Sequence, residues 1–101
     1  MYLGKVIGSV VSTKKDVSMQ GRKLLMVRPM LIDPENTSQF KPGVNTIVAV
    51  DTVGAGEGEL VMFAQGSSAR QAGGLKSLPV DAAIVGIVDS VAVQGTNTYS
   101  A

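Results

Sequence analysis

Ala82-Ala83-Ile84-Val85-Gly86-Ile87-Val88-Asp89-Ser90-Val91-Ala92-Val93 is the stretch on which the fold turns. Its length suits a helix or a strand. Val85, Ile87, Val91 and Val93 share one parity, and Ile84 and Val88 share the other. β-branched side chains are stiff at χ1 and crowd a helix, so this density of Val and Ile predicts a strand over 82–93.

The same grammar extends outward. Short apolar runs at Tyr2–Thr13, Lys23–Ile32, Thr46–Asp51 and Glu59–Gln65 alternate with clusters of Gly, Pro, Asp and Asn, as in an all-β domain. In Lys23–Ile32, Leu24, Met26, Met30 and Ile32 fall on one parity and Leu25, Val27 and Leu31 on the other. Two apolar faces are expected where one meets the core and the other a partner. Pro29 inside this run cannot donate to a ladder and marks an edge or a bulge. Residues 33–45 read as a long surface loop. Between Gly66 and Gly73, Ser67 or Ser68 serves as a helix cap and Gly73 as a stop, predicting a short helix. The expected fold is thus a small five-stranded, OB-like β-barrel with one short helix between its fourth and fifth strands. Residues 1–93 form the single barrel domain, and 94–101 a small polar tail.

Composition narrows function. The chain has 101 residues, 45% hydrophobic and 17% charged, with a net charge of +1. So small a domain exposes much of its surface, and this composition predicts apolar patches that face neighbouring chains. Cys, His and Trp are absent. The commonest general base and the thiolate ligand of metals are therefore missing, and neither catalysis, a metal nor a cofactor is expected. Nine basic residues stand against eight acidic ones, and the only aromatics are two Tyr and two Phe. A nucleic-acid site of OB type needs a basic groove with stacking platforms, so nucleic acid is not expected as a partner. No run approaches the roughly 20 apolar residues of a membrane helix. No basic segment followed by a long apolar run opens the chain, and a cytoplasmic location is expected.

Three local patterns invite chemistry. Gly54, Gly56 and Gly58 alternate evenly, unlike a dinucleotide fingerprint, and Glu57 and Glu59 stand where a phosphate loop carries Lys and Ser/Thr. A tight structural turn is the expectation there. Ser-x-x-Lys occurs at Ser12–Lys15 and at Ser38–Lys41, both in polar loops without companion motifs. Arg70 follows the cap serines at the start of the expected helix, where the dipole favours anions. It is therefore either a plain surface arginine or one placed for a partner, which is a carboxylate across an interface or an anion.

Taken together, three segments resemble one family. They are Gly8–Thr13 followed by Lys23–Val27; Val50-Asp51-Thr52-Val53-Gly54-Ala55-Gly56-Glu57-Gly58-Glu59; and Gly66-Ser67-Ser68-Ala69-Arg70-Gln71 with Pro79–Asp89. The chain resembles the EutN/CcmL family, the pentameric vertex proteins of bacterial microcompartment (carboxysome-like) shells. The resemblance implies an OB-like barrel, a homopentamer with a narrow pore on its fivefold axis, hexameric shell proteins as neighbours, and no cofactor. It places Asp51, Gly54, Ala55, Gly56, Glu57, Gly58, Glu59, Ser67, Ser68 and Arg70 at the subunit interface or near the axis. The 33–45 loop departs from the pattern by its length. The alternative function is an OB-type binding module for nucleic acid or a small ligand.

Overall fold

The computed structural model describes residues 1–13, 17–76 and 78–101. Its strands are β1 (Tyr2–Val10), β2 (Leu24–Ile32), β3 (Phe40–Pro42), β4 (Ile47–Asp51), β5 (Leu60–Gln65), β6 (Ala82–Ile87), β7 (Ser90–Val93) and β8 (Thr96–Ser100). Five of them close into a ring in the order β1-β5-β6-β4-β2 and back to β1, with β3 added beside β2. All ring pairings are antiparallel except β4–β6, where Val50 faces Ala83 and Asp51 faces Ile84. A parallel pair requires a crossover. Here β5 and the segment 66–81 supply it, giving the Greek-key closure expected of an OB-like fold.

The ring encloses an inner core. Val6, Leu25, Val27, Ala49, Val61, Phe63, Ala82 and Ile84 point inward, joined by Ala55 from a loop. Phe63 is the largest of the fully buried side chains. Gly4 makes room for it, since a Cβ there would overlap Val27 and approach the Phe63 ring to 2.8 Å. A second core lies outside the ring. Val50, Ala64 and Ala83 face outward and are covered by Ala69, Leu75, Leu78 and Val80, together with Met19 from a 3-10 turn at Val17–Met19. The covering segment steps across them in three-residue turns, with Leu75 N–H donating to Ala72 O and Leu78 N–H to Leu75 O, each at 3.0 Å.

This arrangement corrects part of the sequence reading. Ala83 and Val85 of β6 and Leu24 of β2 pack under the chain's own 66–80 segment, so this part of the second apolar face is taken up within the chain, while Ile87 stays exposed. Leu31 and Ile32, at the far end of β2, stay exposed. Pro29 falls where β2 changes neighbours, between Val27, which pairs with β4, and Met30, which pairs with β3. The expected long loop at 33–45 contains β3. The strand expected over 82–93 is two, broken at Val88 and Asp89. The segment 94–101, read as a polar tail, carries β8, which pairs with β7 through Gln94 and Gly95 at φ 50° and 79°. Two left-handed residues in succession make the tight turn that suits a twisted hairpin. The short helix is a 3-10 helix, Gly66–Gln71.

Candidate functional site: the glycine loop and the short helix

Asp51 ends β4 with its side chain only 3% exposed. Its Oδ1 accepts from the N–H of Val53 at 3.0 Å and of Gly54 at 3.2 Å, and its Oδ2 from that of Ala55 at 3.0 Å. Glu59 reaches back from the far side of the loop, and its Oε1 accepts from Gly56 N–H at 2.7 Å. Two carboxylates therefore hold the consecutive N–H groups of residues 53–56. Such a run of amides is the kind of concavity that binds phosphate, and here the protein's own acids fill it. Gly54 and Gly58 permit the shape, at φ 78° and 85°. Lys23, which the sequence reading passed over, places its Nζ 3.9 Å from Asp51 Oδ2 and donates to Ala55 O at 2.9 Å. Thr52 ties the loop to β6 by donating its hydroxyl to Ile84 O at 2.7 Å.

The structure thus separates residues that the sequence grouped. Asp51 and Glu59 are internal caps, and Ala55 is a core residue. Glu57 is exposed, and among the described residues it has no hydrogen bond or ion pair. Asp51 followed by Gly54 at the third position was the available signal, because an Asp that caps its own following amides is a common turn device.

The short helix differs from expectation in its boundaries. Its cap is Gln65, without a side-chain bond, and Ser68 donates its hydroxyl back to Gln65 O at 2.8 Å. Ser67 is exposed, while Ala69 is fully buried and pins the helix to the outer core. Arg70 lies in the last turn, not at the start, so the dipole argument drawn from sequence falls away. Its Nη1 donates to Val80 O at 3.4 Å, and no carboxylate among the described residues pairs with it. The loop precedes β5 and the helix follows it, so Glu57 and Glu59 lie near one end of that strand and Ser67, Ser68 and Arg70 near the other, roughly 17 Å apart by strand rise. Asp51 pairs with Ile84, level with Phe63 in the middle of β5.

The Ser-x-x-Lys match at Ser38–Lys41 acquires no chemistry. Ser38 donates its hydroxyl to Asn36 Oδ1. Lys14, Lys15 and Asp16, which include the lysine of the first match, lie outside the described residues. Among the described residues no three acidic side chains converge as metal ligands, and no helix is long and apolar enough to cross a membrane.

A closed Greek-key ring whose glycine loop is capped by its own acids, with Glu57 and Arg70 in no ion pair among the described residues, defines a small OB-like structural or binding domain. The chain belongs to the EutN/CcmL family: the family described as "Ethanolamine utilisation protein EutN/carboxysome" matches residues 1–89. It is 54% identical over 91 residues to the bacterial microcompartment shell vertex protein GrpN of Rhodospirillum rubrum (strain F11), covering 90% of this chain and 96% of that one. It is 44% identical over 100 residues to the carboxysome shell vertex protein CcmL of Gloeobacter violaceus, covering 99% and 94%. Among solved structures, Gloeobacter violaceus CcmL superposes with a TM-score of 0.86 at 44% identity, covering 99% of this chain and 97% of that one. The GrpN pentameric microcompartment shell protein from Rhodospirillum rubrum superposes with a TM-score of 0.77 at 50% identity, covering 92% and 100%.

Proposed function

We propose that this chain is a vertex subunit of a bacterial microcompartment shell in the cytoplasm. Five copies close into a ring with a narrow axial pore, hexameric shell proteins form the facets around it, and the chain catalyses nothing. The observation that carries this reading is similarity along nearly the whole chain to shell vertex proteins, one of them a pentameric structure.

Asp51, the 54–59 loop, Ser67, Ser68 and Arg70 then lie at the subunit interface or near the fivefold axis. Their roles divide. Asp51 and Glu59 shape the loop from within. Glu57 and Arg70 are the charges left for a neighbour. They sit at opposite ends of β5, which suits a head-to-tail ring in which each subunit offers a different face to either side. Native mass spectrometry of the purified chain tests the reading, and a five-chain species is expected at micromolar concentration. A monomer there overturns it, and the OB-type module becomes the reading to test, by nucleic-acid binding at low and high salt.

A further inference from the structure

β7 and β8 stand apart from the ring. No residue from Gly86 to Ala101 is buried. An isolated two-stranded hairpin is marginal in water and needs a third layer. Its own chain supplies part of one. Thr98 donates its hydroxyl to Thr37 O at 2.6 Å, and the Tyr99 and Phe40 rings lie 6.5 Å apart. The hairpin and the 33–45 segment thus form an outer lobe. Between the lobe and the ring lies a largely apolar cavity of about 270 Å³, lined by Phe40, Pro42 and Tyr99 from the lobe and by Lys5, Met30 and Leu60 from the ring. That is enough space for a large side chain, yet the cavity is open.

The occupant follows from charge and from assembly. Residues 90–101 carry no charged side chain. Natural sheets guard free edges with charge, especially lysine, and permanent interfaces are depleted of charge at their centre. An uncharged hairpin beside an open apolar cavity therefore has the chemistry of a lasting contact. A closed head-to-tail ring also requires each subunit to offer two different, complementary faces, so that a recess on one can be filled from the other. We infer that the cavity between the outer lobe and the ring is a socket for an apolar group of a second copy of this chain. The inference rests on the ring assembly proposed above. It also gives the hairpin, which lies beyond the 1–89 region matched by the family, a definite job: it walls the socket.

Pro42 is exposed on β3 and has no N–H to lose, so its side chain can be changed with little effect on the fold. Pro42→Glu, and independently Lys5→Glu, put a carboxylate at the mouth of the socket, whereas Pro42→Ala leaves it apolar. Analytical ultracentrifugation over a dilution series reads the assembly, and circular dichroism reads the fold. The expected result is that either acidic variant keeps its β spectrum but needs at least tenfold more protein for half-assembly, while Pro42→Ala assembles as the unaltered chain does. Acidic variants that assemble normally overturn the inference while leaving the pentamer reading intact. The same holds for a ring that survives but loses co-assembly with a hexameric shell protein, which would give the socket to the facet. If the unaltered chain itself is monomeric, both readings fall.

Discussion

At the scale of single residues, Asp51 carries the heaviest duty in the glycine loop. Its carboxylate satisfies three successive amides, and the third belongs to the fully buried Ala55. Water can replace the side chain at exposed Val53 and Gly54, but not at Ala55. A buried donor left without a partner costs about 1–3 kcal/mol. Asp51→Ala is therefore expected to destabilise the chain by roughly 3 kcal/mol once the weakened outer bonds are added. Asp51→Asn recovers only part of this, because its amide must set a donor against a donor. Exposed, unpaired Glu57→Gln is expected to stay within about 0.5 kcal/mol. Urea unfolding of the three variants at one fixed protein concentration checks the order. The ion pair of Lys23 with Asp51 contributes little, since it is long and the lysine is 54% exposed and solvent-screened.

At the scale of elements, the 3-10 helix Gly66–Gln71 is held from below by Ala69 and presents Arg70 half-buried, without an acidic partner among the described residues. If Arg70 meets Glu57 of a neighbour, Arg70→Glu sets like charges together, and adding Glu57→Arg restores the pair with its signs exchanged. The single change is expected to raise the concentration for half-assembly about tenfold and the double change to reverse most of that. Native mass spectrometry of the two proteins tests it, and a double variant no better than the single one refutes the pairing. How far the elements were legible has physical reasons. The doubly apolar run at 82–93 announced itself, because the ring buries Ala82 and Ile84 on one side and the 66–80 cover buries Ala83 on the other. β3 was missed because three residues ending in Pro42 carry no period. β8 was missed because Thr96-Asn97-Thr98-Tyr99 is polar, although Gln94-Gly95 between two alternating runs is a hairpin signal. The glycine loop was legible as a tight turn, but no sequence pattern reveals that Asp51 and Glu59 turn inward to cap amides while Glu57 turns out.

At the scale of the whole molecule, the chain is elongated and carries several exposed apolar side chains. It measures 45 × 23 × 22 Å, with a radius of gyration of 14.2 Å, where a compact chain of 100 residues has about 13 Å. The excess length agrees with an outer lobe held to the ring by few contacts. Val11, Val17 and Val44 are 89%, 80% and 92% exposed, and Leu31 and Tyr2 also face outward. A net charge of +1 does little to keep such copies apart. If the chain assembles as proposed, its stability depends on mass action, because a partner that binds only the folded chain pulls unfolding back. If five chains fold and assemble in one step, each tenfold rise in concentration adds about 1.1 kcal/mol per chain, four-fifths of RT ln 10. For a domain of this size that corresponds to roughly 5 °C in Tm. Differential scanning calorimetry at two concentrations tenfold apart is expected to show that shift. A Tm independent of concentration would mean that the ring strands stand alone and that assembly adds nothing to the fold.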